Sequence, residues 1–363
     1  MAPNAASLEG KEPRRSPTVD RRTKTLNLLV LTGTSEHPFD RLIAWIDSWH
    51  RENTRLGAKL EVTIQRGTST LNCLGRAVDM MTAQELAKVA ATADVIVCHG
   101  GPGTIHDAVT RGIRPIVCPR SGELGEHVDE HQMRFAKFLN ATAGFDVAWD
   151  QDGLHQLLDL ALEDPDHYRN LDMGLGAAAA DPAEVGARIA SLVASGRRSG
   201  RNALRRRYRT TTDHPKVLVV SSSGGHLRQV WRLMPWLEHG DRHWVTFDSA
   251  DATSLLAHES MTPAFSPTTR NIPNLIRNAF LSWGVIRQER PDVIISSGAG
   301  VAVPFFWLSR FFGIPTVYIE VFDRVDSTTM TGRLCQPVTD LFMVQWEQQQ
   351  ELYRNSVSVG HLL

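Results

Sequence analysis

Two apolar rhythms alternate along the chain. Short runs in which almost every position is apolar read as strands covered on both faces. Longer stretches with apolar residues three and four apart read as helices with one buried face. Residues 26–31 are such a strand, and the loop TGTSEHP follows. Residues 39–49 carry apolar side chains at 39, 42, 43 and 46, which predicts a helix. Leu60, Val62 and Ile64 alternate as in a half-buried strand, and Thr82 with Glu85 forms a capping-box signature at the head of a helix over 82–90. DVIVC (94–98), a glycine loop (100–103), a short helix and PIVC (115–118) complete this series.

Residues 197–209 (RRSGRNALRRRYR) break the rhythm with seven arginines and little apolar content. It restarts at Lys216. KVLVVS reads as a strand and SSGGH as a loop, and residues 227–237 read as a helix with Val230, Trp231, Met234 and Leu237 on one face. HWVTF, DVIIS, PTVYIE and DLFMV read as later strands. Strand–helix alternation predicts parallel sheets. ADVIVCHGGPG…GIRPIV (93–117) is echoed by PDVIISSGAG…GIPTV (291–317). The expectation is α/β, with two Rossmann-like domains facing a cleft. Residues 1–24 are expected to be a disordered tail, 25–195 the first domain, 196–214 a basic linker and 215–363 the second domain.

Composition narrows the classes. A net charge of −1 gives no global field for nucleic acid. The four cysteines lack CxxC spacing, which argues against a disulfide framework and suits a reducing compartment. Residues 1–24 have no apolar signal region. The longest apolar run, residues 301–312, is interrupted by Pro304 and Arg310 and falls short of the ~20 residues that span a bilayer. Any membrane contact is expected to be peripheral.

Candidate chemistry sits at strand ends. Gly100-Gly101-Pro102-Gly103-Thr104 lies between a buried strand and a helix. It is either a tight turn or a cradle where amides and a helix N-terminus meet a diphosphate. Asp107 is either the third helical residue of a capping box begun by Thr104 or a carboxylate for ribose hydroxyls. The polar segment 123–132 follows the strand end Cys118-Pro119-Arg120, where sugar hydroxyls can be read. Within it, His127-x-x-Glu130-His131 also fits a zinc-hydrolase pattern with Glu130 as base. His226, after Gly224-Gly225, and Glu320, ending a strand, are candidate bases; a backbone-bonded histidine and a structural salt bridge are the plainer readings. Gly298 and Gly300 repeat the glycine loop of the first half. Residues 272–287 are amphipathic, which suits either a core-facing helix, the expected case, or a helix lying on an anionic bilayer.

These motifs together resemble a known family. Gly33-Thr34 with Pro38-Phe39-Asp40-Arg41-Leu42, residues 93–104, and Gly125-Glu126-His127 to His131-Gln132 are similar to the catalytic subunit of the two-subunit N-acetylglucosamine transferase that extends dolichol-diphosphate-GlcNAc. They are also similar to the donor domain of the lipid II-forming peptidoglycan transferase. Gly224-Gly225-His226, residues 290–300, 317–324, 331–334 and 344–346 resemble the membrane-recruiting partner subunit. Paired proteins of bacterial exopolysaccharide clusters are similar. The resemblance covers nearly all of residues 26–361.

The resemblance implies a GT-B glycosyltransferase, inverting and metal-independent, with no cofactor beyond a UDP-linked sugar as substrate. Gly33, Thr34, Gly100, Gly101, Pro102, Gly103, Thr104, Asp107, Glu126, His127, His131 and Gln132 would bind the donor. Gly224, Gly225, Gly298 and Gly300 would bind a polyprenyl-linked acceptor, with His226 or Glu320 as base. The domain order is reversed relative to the single-chain lipid II enzyme. Asp107 stands where that enzyme has Glu, and Ile319 stands where it has His. The implied setting is cytoplasmic, peripheral on an anionic membrane at the inner face of the plasma membrane, in exopolysaccharide assembly, with no nucleic acid as partner. A non-catalytic nucleotide-sugar-binding scaffold and a sugar-nucleotide epimerase are the rival readings.

Overall fold

A computed structural model of the protein describes residues 25–71, 73–169, 180–195, 215–268 and 271–362. The expected tail (1–24) and basic linker (196–214) lie outside the described residues. The first domain holds strands β1 (Thr25–Leu31), β2 (Lys59–Gln65), β3 (Arg76–Val78), β4 (Val95–Cys98) and β5 (Ile116–Val117), in the order β3-β2-β1-β4-β5. All pair in parallel. Helices α1 (Asp40–Arg55), α2 (Ala83–Thr92), α3 (Pro102–Val109), α4 (His131–Ala143) and α5 (Gln151–Glu163) cover the sheet. The Thr82–Glu85 capping box forms as the sequence indicates.

The second domain contains α6 (Pro182–Ala194), β6 (Val217–Val220), α7 (Gly225–Trp231), α8 (Met234–Leu237), β7 (Arg242–Phe247), α9 (Ala250–Leu255) and β8 (Met261–Ala264). It continues through α10 (Ile272–Glu289), β9 (Val293–Ser296), α11 (Ala302–Phe312), β10 (Thr316–Ile319), α12 (Met330–Cys335), β11 (Leu341–Val344), α13 (Glu347–Leu352) and β12 (Ser356–Ser358). Its sheet runs β12-β11-β10-β9-β6-β7-β8, again parallel. The sequence echo is a topological one: β4 lies beside β1 and leads through α3 to β5, and β9 lies beside β6 and leads through α11 to β10. β4, β6, β9 and β10 are buried at every position, as strands covered on both faces must be.

Three expectations are corrected. The helix over 227–237 is two helices, because Pro235 at the start of α8 has no amide to continue α7. The domain boundary is earlier than residue 195. Val185, Ile189 and Leu192 of α6 pack with Val217, Val219 and Leu227, so α6 completes the second core. The chain of the first domain is still in place at Tyr168, inside the first core.

The third correction concerns α10, whose apolar face is turned outward. Asn274, Asn278 and Ser282 are buried, while Ile276 is 53% and Phe280 77% exposed. Asn278 donates to the carbonyl of Phe265 and accepts from its amide, and Asn274 donates to Pro267 O, so polar side chains hold the inner face. Trp307 and Phe311 on α11 and Met330 and Leu334 on α12 are also exposed. α10 packs against α11 and α11 against α12, so these side chains lie on one side of the second domain.

The domains meet through apolar and charged contacts. Phe322 and Val325, after β10, join the core around Phe135 and Leu139 of α4. Phe135 and Phe322 meet edge to face at 5.3 Å, and Phe138 and Trp346 at 4.7 Å. α6 is held by a tight contact in which a Cβ at Gly186 would fall 2.2 Å from the Trp236 ring. Gly186→Val is therefore expected to destabilise the protein by ~1–3 kcal/mol through overpacking. An unchanged denaturant midpoint would show that α6 is not part of the second core.

Candidate functional site

The glycine loop of the first domain bends around a histidine. His99 directly follows β4, and its ring lies between two glycines. An added Cβ at Gly101 would fall 2.2 Å from its Nε2, and one at Gly33 2.6 Å from it. No larger residue fits either position beside that ring. Burial lowers the His99 pKa to about 3, with Arg120 acting in the same direction, so the ring is neutral. α3 starts one residue after Gly101, with Pro102 in its first turn. Thr104 and Ile105 both donate their amides to Gly101 O at 3.1 Å. Thr104 is therefore inside the helix, and the Thr104–Asp107 capping box does not form. The Asp107 carboxylate instead pairs with Arg228 of α7, across the cleft.

The second domain presents His226 to the same space. Its Nδ1 lies 2.8 Å from Ser297 O. A carbonyl only accepts, so Nδ1 carries the proton and Nε2 holds the free lone pair. Ser297 Oγ donates to His226 O at 2.7 Å, and Gly224 N donates to Asp251 Oδ2 at 2.8 Å, which fixes both ends of the loop. Burial lowers the His226 pKa, against the bond to Ser297. A neutral imidazole in this tautomer can take a proton.

Between these walls runs a chain of charges whose two ends come from the second domain and whose middle comes from the first. Arg324 donates to Asp129 Oδ2 at 2.6 Å; the other oxygen of Asp129 meets His131 Nδ1; His131 Nε2 lies 3.2 Å from Asp323 Oδ2. Burial opposes charging of His131, but Asp323 and Asp129 outweigh it and raise its pKa to about 9. Burial likewise works against an ionised Asp323, yet His131 and Arg324 hold it at about 2. His127 stacks edge-on against His131 at 4.4 Å and is pushed down to about 4 by burial and by that neighbour.

A cavity of about 450 Å³ joins these groups. Gly33, Thr34, Gly101, Pro102, Gly103, Thr104, Asp107, His127, His131 and Gln132 line it from the first domain, and Gly224, Gly225, His226, Arg228 and Asp323 from the second. A connected space of about 470 Å³ continues past Asp107 and Arg228, walled by Met80, Met81, Leu86 and Trp231.

Several predicted residues are not in this lining. Gly100 packs against Gln132 instead. Glu126 is buried and holds Arg41 in a two-point ion pair, at 2.8 and 2.7 Å, so its oxygens are committed to the loop. Gly298 lies over the Tyr318 hydroxyl and Gly300 against Thr268. Glu320 is fully buried inside the second domain, accepting from Val321 N, Thr329 and Tyr353. Burial raises its pKa, and it does not line the cavity.

The zinc pattern also changes. His127 precedes α4 rather than sharing a helical turn with His131. Glu130 faces away, accepting from Ser121 Oγ and Glu123 N. Among the described residues, His127, Asp129 and His131 do place ligand atoms within 4.8 Å of one another. His131, however, spends both nitrogens on carboxylates, and Asp129 is shared with Arg324. This donor set fits an ion-pair chain better than a metal.

Sequence reasoning missed His99, Arg228, Asp129, Asp323 and Arg324 as site groups. His99 carried a signal, since it stands directly before the glycine loop, and so did Asp129, as part of the polar segment 123–132. The others are paired by tertiary contact between positions 121 to 195 residues apart.

The charge chain generates a pH dependence. In the folded protein the neighbouring carboxylates raise the His131 pKa from its ordinary 6.5 to about 9. Its stabilising effect is complete below about pH 6.5 and is lost as pH rises through about 9. Asp323 acts oppositely: its contribution holds above 3.8 and is lost as pH falls through about 2. Stability is expected to decline between pH 6.5 and 9 in the wild-type chain, and His131→Gln should flatten that decline. Thermal melts across this range check it, and equal slopes in both proteins would refute it.

Known proteins match the two halves of the chain separately. Residues 27–181 match the glycosyltransferase family 28 C-terminal domain, and residues 263–362 match the family of oligosaccharide biosynthesis protein Alg14-like sequences. The UDP-N-acetylglucosamine transferase subunit ALG14 of Mus musculus is 25% identical over 186 residues, covering 42% of this chain and 86% of the relative. The Candida albicans subunit is 27% identical over 172 residues, covering 41% and 78%. Acinetobacter baumannii MurG, a solved structure, aligns with a TM-score of 0.34 at 16% identity, over 40% of this chain and less than half (45%) of that one. With one family at each side of the cleft, the chain is a fused relative of the family 28 glycosyltransferases and the Alg14-like proteins, a glycosyltransferase of GT-B architecture.

Proposed function

We propose that this protein transfers a sugar from a UDP-linked donor to a hydroxyl of a polyprenyl-diphosphate-linked saccharide, with inversion and without a metal, in cell-surface polysaccharide assembly. The observation that carries this reading is that the glycine loop at the head of α3 and the free nitrogen of His226 line one cavity from opposite domains. A displacement needs a leaving-group site and a base on opposite sides of the reacting carbon.

In this reading the donor diphosphate lies at the amino end of α3, where the dipole favours anions. The nucleobase enters the apolar space beside Met80, Met81 and Leu86. The acceptor oxygen attacks the anomeric carbon while its proton moves to His226 Nε2. The bond from that carbon to phosphate oxygen breaks, and its electron pair leaves with UDP. One displacement inverts the centre. His226 takes the role of base, because Glu320 is enclosed.

The outward apolar face of α10, α11 and α12 supports a peripheral position on the membrane that carries the acceptor. No helix among the described residues is long and apolar enough to cross a bilayer. Exposed aromatic and aliphatic side chains on one side of a domain favour an interface between water and lipid. The seven arginines of 197–209 lie outside the described residues.

Turnover of a panel of UDP-sugars with membrane extracts, followed as lipid-linked product, tests the reaction. His226→Ala should lower kcat by ~10²–10⁴-fold while UDP affinity stays unchanged. Activity should persist in EDTA. Absence of lipid-linked product with every donor would leave a nucleotide-binding scaffold, and full loss in chelator restored by a divalent ion would end the metal-independent mechanism.

Phe280→Ser with Phe311→Ser should release the protein from anionic vesicles, by roughly 1.5–3 kcal/mol per buried aromatic. Sedimentation with and without vesicles measures this. A wild-type protein that stays in the supernatant at low salt would exclude the docking face.

A further inference from the structure

The cleft contains a cation that the reading above does not use. Arg228 extends from α7 of the second domain across to the first. Its Cδ lies 3.5 Å from where a Cβ at Gly103 would sit, so its stem passes directly over the first turn of α3. Its guanidinium reaches on to the carboxylate of Asp107. Arg228 and Asp107 are 39% and 31% exposed, so a ligand entering the cleft can reach both. An ion pair this open to water is worth little by itself and is readily exchanged.

The α3 terminus alone is a modest anion site. Pro102 has no amide, and the amides of Thr104 and Ile105 already donate to Gly101 O. A helix end supplies roughly half a positive charge. The terminal phosphate of a departing nucleoside diphosphate carries roughly −1.5 to −2 near neutral pH. Further positive charge has to come from side chains. Arg111 also lines the cavity, but it lies beyond the carboxyl end of α3, about 12 Å along the helix from the loop. Arg228 is the cation that passes over the loop itself.

We propose that Arg228 binds the donor's diphosphate from the acceptor domain, and that Asp107 holds it in place while the cleft is empty. The proposal rests on the donor-site reading above. When the ribose occupies Asp107, the guanidinium turns back toward the α3 terminus and meets the phosphate oxygens with two parallel donors. The charge that develops as the sugar–phosphate bond breaks is then met from both domains, which makes the leaving-group site complete only when the domains close. Arg228 thereby couples donor binding to closure.

Calorimetric titration of the full chain with UDP and with uridine tests this, for wild type, Arg228→Gln and Arg228→Lys. Arg228→Gln should weaken UDP binding about tenfold to a hundredfold, the effect of removing a charged hydrogen-bond partner, and leave uridine binding unchanged. Arg228→Lys should recover part of the UDP affinity, because it keeps the charge and loses the fork. UDP affinity unchanged in Arg228→Gln, or UDP and uridine weakened equally, would make Arg228 an interdomain brace and overturn the proposal while the donor site stands. A wild-type chain that binds neither UDP nor uridine would overturn the donor-site reading and this proposal together.

Discussion

Arg120 is 1% exposed, and a buried cation is tolerated only when its donors are all met. Its guanidinium donates to Thr32 O at 2.7 Å, His37 O at 2.7 Å and Glu126 O at 2.9 Å. It thereby ties the loop after β1 to the segment leading into α4. Phe39 lies against its face, 4.7 Å from the guanidinium carbon. Burial lowers its pKa to about 10, with Glu126 opposing, and it remains charged near neutrality. The first wall of the cleft is built on this charge: Gly33, Thr34, His127 and His131 all sit on backbone that Arg120 anchors. The Arg41–Glu126 pair closes the same knot from outside.

The second wall is held differently. Glu320, Gln345 and Gln349 fix the turn after β10: Gln345 donates to Glu320 O at 2.8 Å and Gln349 to Val321 O at 2.9 Å. That turn sends Phe322 into the core of the first domain and leaves Asp323 and Arg324 at the charge chain. Apolar burial and ion pairing thus act on neighbouring residues of one turn. The apolar contact sets how close the domains stand, and the charges set the register between them. Glu320 therefore serves the site by shaping the turn rather than by moving a proton.

The two faces of the second domain follow opposite rules. Toward the first domain it presents Phe322 and Val325 beside the paired charges of Asp323 and Arg324. On the side of α10, α11 and α12 it presents Ile276, Phe280, Phe311 and Met330 to solvent, with asparagines underneath. An apolar surface backed by a hydrogen-bonded polar layer is a stable element of the fold, since Asn274 and Asn278 satisfy the backbone near Pro267 and Phe265. The second domain therefore carries an apolar exterior on one side and holds His226 at the cleft through Ser297 on another.

The sequence by itself determined the two parallel-sheet domains and their echo, and it put the glycine loop and His226 at strand ends, where the cavity lies. Strand runs and turn residues are local, and local chemistry is legible in one dimension. It also showed that residues 272–287 are amphipathic, but periodicity marks a face without saying which way it points. Only the tertiary structure turned that face outward, moved α6 into the second domain, and enclosed Glu320. Only it paired Asp107 with Arg228 and threaded His131 between Asp129 and Asp323. Those pairings join residues far apart in the chain, and charge complementarity between them exists only once two sheets have been packed and brought face to face.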